Sequence, residues 1–226
     1  MSRALVLGGT GALGSAIVVE LMATGWDVEV AEPSPGPAVT VDTSAEGWAE
    51  VAAAKGPFAG IVWAQGANAS GGVLEADPMD LRRLFDVNVV FIVETLRSLA
   101  AASALAKPAR GVVLSSVWQV TARSSKLAYV ASKAALAGVI PAIAVDMAGQ
   151  GFAINAVMPG VIDTPMTRAA LTPAQIERVE SETIGGALAT PGDVARTVAW
   201  LIDARAVGIN GQSLAVDHGW SKVRSV

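Results

Sequence analysis

The chain has no cysteine, one histidine and one tyrosine, and each shortage removes a class of chemistry. Without cysteine there are no disulfides, thiolate nucleophiles or Cys-ligated metals, and His218 alone cannot build a histidine metal site. No metal is expected, and any catalysis must run on oxygen and amine groups. The missing cysteine fits a reducing compartment. Cations are scarce as well: sixteen Lys and Arg stand against twenty Asp and Glu, a net charge of −4. That balance offers no field to condense on nucleic acid or anionic lipid. Long apolar runs are also absent. The longest uncharged stretch, Gly56 to Leu74, is rich in glycine and carries Gln65, Asn68 and Ser70, which a membrane helix would not hold comfortably. The N-terminal Met1-Ser2-Arg3 runs straight into a strand-like segment with no leader pattern, so a cytoplasmic protein is expected.

A length of 226 residues suits one α/β domain, residues 1–226, burying roughly 70–75% of the unfolded surface. No repeat or long linker interrupts it, and Pro33-Ser34-Pro35-Gly36-Pro37 is the only breaker cluster. Short strand-like runs alternate with longer helical ones, the pattern of a parallel sheet covered on both faces. The expected strands are Ala4–Leu7, Asp27–Ala31, Val39–Val41, Gly60–Trp63, Gly111–Leu114, Ala153–Met158 and Ser213–Val216. Helices are expected over Leu13–Ala23, Pro78–Ala104, Ala128–Gly149, Pro173–Glu182 and Gly192–Ile202, the third kinked at Pro141. The fold predicted is a doubly wound, Rossmann-type parallel sheet of about seven strands. Such sheets bind ligands at the carboxyl ends of their strands.

The loop after the first strand reads Gly8-Gly9-Thr10-Gly11-Ala12-Leu13-Gly14. Its Gly9, Gly11 and Gly14 satisfy GxGxxG, which lets backbone approach a pyrophosphate resting on a helix N-terminus. A tight strand-to-helix turn makes the same demand for glycine. Glu32 follows the second strand, where a carboxylate accepts from ribose hydroxyls and repels a 2′-phosphate; a solvated surface Glu fits the position too. No Lys or Arg occurs from Ala4 to Ala54, so NAD is the expected cofactor rather than NADP. Asp42 suits either an adenine contact or a helix N-cap.

Ser116 ends the fifth strand, and Tyr129 and Lys133, four apart, share a face of the following helix. Tyrosine starts near pKa 10, and acid–base work at neutral pH asks for a depression of roughly 3 units. A lysine ammonium close by, helped by an oxidised nicotinamide, is a sufficient source. Pro159-Gly160-Val161-Ile162-Asp163-Thr164 follows the sixth strand. Together with the glycine loop and the terminal Val216-Asp217-His218-Gly219, this arrangement resembles the short-chain dehydrogenase/reductase family over nearly the whole chain. The resemblance implies that Tyr129 exchanges the hydroxyl proton, Lys133 lowers its pKa and holds the nicotinamide ribose, and Ser116 hydrogen-bonds the substrate oxygen. It implies that Asn88 supports a water relay to Lys133. It also assigns dinucleotide contacts to Ala64, Gln65 and Gly66, to Pro159 and Gly160, and to Ile162 and Thr164.

The chain departs from the family pattern in places. Leu7 replaces a threonine, Trp63-Ala64-Gln65-Gly66 replaces Asn-Asn-Ala-Gly, and the stretch between Glu32 and Gly60 is short enough to have lost the helix after the second strand. Candidate substrate contacts are Asn68, Trp118 and Lys126. Trp118 suits a pocket wall and equally a core or subunit contact, and Lys126 suits a substrate carboxylate or plain solvent. Residues 165–186 read as a lid, and His218 reads as structural. The reaction expected is NAD(H)-dependent hydride transfer between a secondary alcohol and a ketone. The alternatives are an NADPH-dependent 3-oxoacyl reductase and a non-catalytic dinucleotide-binding scaffold or sensor. The resemblance further implies a homotetramer or dimer packed through the two long helices.

Overall fold

The structure, a computed structural model, describes residues 1–31 and 45–222. Six strands are found among them: β1 (Arg3–Leu7), β2 (Asp27–Ala31), β3 (Phe58–Trp63), β4 (Leu105–Leu114), β5 (Phe152–Pro159) and β6 (Ser213–Val216). All pair in parallel, in the order β2-β1-β3-β4-β5-β6. The sheet therefore has six strands where about seven were expected, because Val39–Val41 lies outside the described residues. Helices cover both faces, and the period-two alternation of strand side chains divides the core between them. Leu5, Leu7, Ile61, Trp63, Val113, Ile154 and Ala156 pack on one side. Ala4, Val6, Val62, Val112, Leu114 and Val157 pack on the other.

The second of these faces is covered by α1 (Ala12–Ala23) and α8 (Pro191–Ile202), which pack together. The first is covered by α2 (Ala45–Lys55), α3 (Pro78–Phe85), α4 (Phe91–Ala101) and α5 (Leu127–Met147). The helix α2 is absent from the sequence-based assignment; its Ala-rich AEGWAEVAAAK is a good helix former with a weak apolar stripe. The expected loss of a helix directly after β2 concerns residues 32–44, which lie outside the described residues.

The predicted helix Pro78–Ala104 is divided. Asp77 caps α3 by accepting from the Met79 N–H at 2.8 Å, and Asp86–Val90 then forms a wider, π-type turn before α4 begins. Such turns insert an extra residue and re-aim a side chain, here that of Asn88. The helix α5 continues past Pro141, whose ring lies on its exposed side. It is long and apolar enough to cross a membrane by composition, yet Leu136, Ile140 and Ile143 are buried in the core. Two short helices, α6 (Pro165–Ala170) and α7 (Pro173–Ser181), follow β5.

Candidate active site

The chain leaves β1, runs outward to β2 and returns to β3 on the opposite side, so a crevice opens at the carboxyl ends of β1 and β3. The glycine loop occupies it. Gly8 holds a φ of +81°, and a Cβ there would lie 2.6 Å from the Gln65 nitrogen. A Cβ on Gly14 would lie 2.0 Å from the Gly8 carbonyl oxygen, whereas one on Gly11 meets nothing nearer than that oxygen at 3.6 Å. Gly14 therefore serves the turn and Gly11 the open side. Gly14→Ala is expected to cost about 3 kcal/mol or more, lowering the melting temperature by about 10 °C, while Gly11→Ala melts close to the parent. Circular dichroism melts of the two variants read this directly, and equal melting temperatures would contradict it.

A cleft of about 390 Å³ runs from this loop across the sheet. It is lined by Gly11, Ala12, Leu13 and Gly14 on one side, by Ala64, Gln65, Gly66 and Asn68 on another, and by Pro159, Gly160, Ile162 and Thr164 beyond. Ser116, Tyr129 and Lys133 line the same cleft. Gly8 and Gly9 form the turn behind it, packed on Gln65 and Val30, and Thr10 is exposed beside them. Thr164 caps α6, its hydroxyl accepting from the Thr167 N–H at 3.2 Å. Glu32 and Asp42 lie outside the described residues.

Asn88 organises the loop after β3. Its Oδ1 accepts from the Ala67 N–H at 2.9 Å, and its Nδ2 donates to the Ala67 carbonyl at 3.0 Å and to the Ser132 hydroxyl at 3.0 Å. Ser132 in turn donates to the Tyr129 carbonyl at 2.9 Å. One buried amide thus fixes both the loop and the helix turn that bears the tyrosine. The altered segment after β3 is rejoined to the sheet by the Ala64 N–H donating to Leu7 oxygen at 2.8 Å, while Gln65 Oε1 stays buried without a partner at the cleft.

Lys133 is buried, and its Nζ donates to the Leu114 carbonyl at 2.9 Å. Burial pushes the ammonium down to about 8. Burial also raises the Tyr129 phenol, an effect only partly opposed by its hydrogen bond with Ser116. The depression expected of Tyr129 rests on Lys133 together with an oxidised nicotinamide; in the chain alone burial sets the direction. The ammonium sits over the tyrosine ring, 5.9 Å from its centroid, within reach of its π density. Ser116 is buried and its Oγ also accepts from the Trp118 N–H at 3.3 Å.

Asn68 and Lys126 meet each other: Lys126 Nζ donates to Asn68 Oδ1 at 3.1 Å, Ser70 Oγ at 2.9 Å and the Ala69 carbonyl at 3.4 Å. The lysine straps the loop after β3 to the start of α5. Trp118 packs edge-on against Trp220, ring centroids 5.5 Å apart. His218 lies with Nδ1 3.2 Å from the Ala187 carbonyl, tying the C-terminal turn to the segment after α7. Sequence reasoning overlooked Ser132 and the buried chain from Ser115 through Gln119 to Ser213. A serine between Tyr129 and Lys133 on one helix was the signal for the first; the second joins residues nearly a hundred positions apart and leaves no local trace.

A family model described as enoyl-(acyl carrier protein) reductase matches residues 29–221. The chain belongs to the short-chain dehydrogenase/reductase family. It is 30% identical over 164 residues to an uncharacterized oxidoreductase of Bacillus subtilis (strain 168), covering 73% of this chain and 67% of that protein. It is 33% identical over 142 residues to a cyclopentanol dehydrogenase of Comamonas sp. (strain NCIMB 9872), covering 62% of this chain and 56% of that one. An acetoacetyl-CoA reductase of Shinella zoogloeoides matches at 28% over 237 residues, 97% of this chain and 98% of the other. A short-chain dehydrogenase/reductase from Serratia marcescens BCRC 10948 superimposes with a TM-score of 0.85 at 24% identity, over 97% and 98% of the two chains. The fold is therefore that of the short-chain dehydrogenase/reductases, oxidoreductases of CH–OH and C=O groups that bind a nicotinamide dinucleotide.

The cleft of this family member fits such a cofactor. The N-cap of α1 is Gly11, with no side chain to cap it, so first-turn N–H groups remain for a pyrophosphate in the open space at that glycine. Gln65 Oε1 supplies an unpartnered acceptor further along.

Proposed function

We propose that this protein is an NAD(H)-dependent oxidoreductase interconverting a secondary alcohol and a ketone. The observation that carries the reading is that Ser116, Tyr129 and the buried Lys133 line one cleft, the one that begins at the uncapped N-terminus of α1. A bound nicotinamide would supply or accept the hydride. Tyr129 gives or takes the proton of the alcohol oxygen, Ser116 shares the hydrogen bond to that oxygen, and Lys133 holds ribose and tunes the phenol. Asn88 positions Lys133's helix and keeps the loop after β3 open to water. Residues 165–186 serve as the lid that excludes solvent when substrate binds, on a single unit spanning 1–226 and working in the cytoplasm.

The preference for NAD rests on Glu32 and on the lack of Lys or Arg from Ala4 to Ala54. Fluorescence titration with NADH and NADPH tests it. NADH is expected to bind at least about tenfold tighter, and Glu32→Ala is expected to erase most of that gap. Equal or tighter NADPH binding would defeat the reading and favour a 3-oxoacyl reductase, the activity class named in the Shinella relative.

A homo-oligomer completes the proposal. On α5, Ala134, Ala137, Gly138, Pro141, Ala142 and Val145 form an exposed apolar stripe at helical spacing. Small residues there allow a second copy's helix to approach closely. Light scattering is expected to give a dimer or tetramer mass, and a clean 22.9 kDa species would rule it out.

A further inference from the structure

Beside the cleft lies a second hollow of about 460 Å³ under the same lid. Its walls include Trp118, Trp220 and Val161 on the sheet side and Leu171, Arg178 and Glu182 on the lid side, with Arg123 at the rim. The two spaces flank the same segments: Ser116 faces the first and Trp118 the second, and Ile162 and Val161 divide likewise. The second hollow therefore adjoins the space in front of Ser116 and Tyr129.

The charges around that hollow do not balance. Glu182 accepts from Trp220 Nε1 at 2.9 Å and pairs with Arg178 at 3.2 Å. Arg123 has no hydrogen-bonded or ionic partner among the described residues. Its neighbour Lys126 touches only neutral oxygens, those of Asn68, Ala69 and Ser70. Arg123's charge is felt there: after burial, it is what holds the Lys126 ammonium below its usual range. Glu177 and Glu180 of the lid line a different hollow. In a chain of net charge −4, Arg123 lines the second hollow without an ionic partner among the described residues, beside two crossed indoles and close enough to Lys126 for its charge to be felt there.

We propose that the substrate is a ketone or secondary alcohol with an apolar, ring-sized body that lies on Trp118 and Trp220 and a negatively charged group that docks on Arg123. The inference rests on the oxidoreductase reading and adds the substrate class to it. The indole pair supplies apolar area for a ring, and the planar guanidinium of Arg123 matches a carboxylate, sulfonate or phosphate. Lys126, already spent on the loop after β3, contributes field rather than contact.

The test is calorimetric titration of the NADH-loaded full chain with 4-acetylbenzoate and its uncharged counterpart 4-acetylbenzamide. The benzoate is expected to bind about fivefold tighter, the scale of a partly exposed charge-assisted pair. Arg123→Gln is expected to bring the two probes to parity without changing the amide's affinity, while Arg205→Gln, at a remote exposed ion pair, leaves the preference intact. No binding of either probe, parity in the parent protein, or a preference that survives Arg123→Gln would each overturn the proposal. Oxidation of NADH and NADPH by both probes is followed in parallel. Charge-selective binding with no ketone consumed would remove the oxidoreductase reading and leave the anion subsite standing; turnover without charge preference would do the reverse.

Discussion

Tyr129→Phe is expected to lower kcat by about three orders of magnitude, within the range that general acid–base catalysis contributes, while melting temperature and dinucleotide affinity stay near those of the parent. The substitution removes one oxygen and little else. The ring remains under the Lys133 ammonium, and Ser116 keeps its bond from the Trp118 N–H. Ser116→Ala should cost less, because it deletes a hydrogen bond to the reacting oxygen and leaves the proton donor in place. The chain offers an unusually direct second readout, since Tyr129 is its sole tyrosine and an ultraviolet titration of tyrosinate reports that residue alone. Burial holds the phenol above its ordinary value in the free chain, so the free protein is expected to form tyrosinate only above about pH 10. Loading with the oxidised dinucleotide brings positive charge close to the phenol, and the same titration should then move down. A Phe variant keeping more than a tenth of parental kcat, or a phenol that titrates identically with and without NAD, would mean that Tyr129 is not the proton donor.

The parts of this molecule that were legible in the sequence are those whose cause is local. Strands β1 and β2 are apolar or alternating runs with a glycine close to one end, and their limits differ from expectation by no more than one residue. Strand β4 begins six residues earlier than expected, at Leu105, because Lys107, Pro108 and Arg110 argue against a buried strand unless its first half is irregularly paired, as it is here. The turn at Asn88 reads as plain helix in sequence, since a single inserted residue barely disturbs the apolar periodicity. In the candidate site, Ser116, Tyr129 and Lys133 were recognisable by spacing, and the fold brings them to one cleft. What spacing could not carry was electrostatics. The position of the Lys133 ammonium over the ring depends on its bond to Leu114, nineteen residues away, and on burial by elements from the whole chain. Trp118's partner, Trp220, was equally out of reach, because edge-on contact between a loop and the C-terminal turn has no periodic signature.

Lys133→Met should abolish activity and flatten a pH dependence of stability that the parent displays. Burial brings the ammonium down to about 8 from 10.5, so between those values the unfolded chain binds more protons than the folded one, and stability rises with pH. The full penalty is present below about 8 and disappears as the pH approaches the unfolded value. The 2.5-unit gap corresponds to at most about 3 kcal/mol. Urea denaturation at about pH 7.5 and 9.5 should find the parent about 2 kcal/mol more stable at the higher pH, with the methionine variant changing little. The window stops short of the region where Tyr129, raised by burial, would work in the opposite direction: there the folded state holds its proton longer and stability falls as pH climbs. Methionine fills the channel with similar volume but leaves the Leu114 carbonyl without its donor, which costs about 1–3 kcal/mol. For this reason the diagnostic is the slope with pH and not the absolute stability. Parent and variant showing the same slope would place the ammonium in contact with water, and the argument that this site holds a cation at its own expense, ready for a dinucleotide and a phenolate, would lose its physical basis.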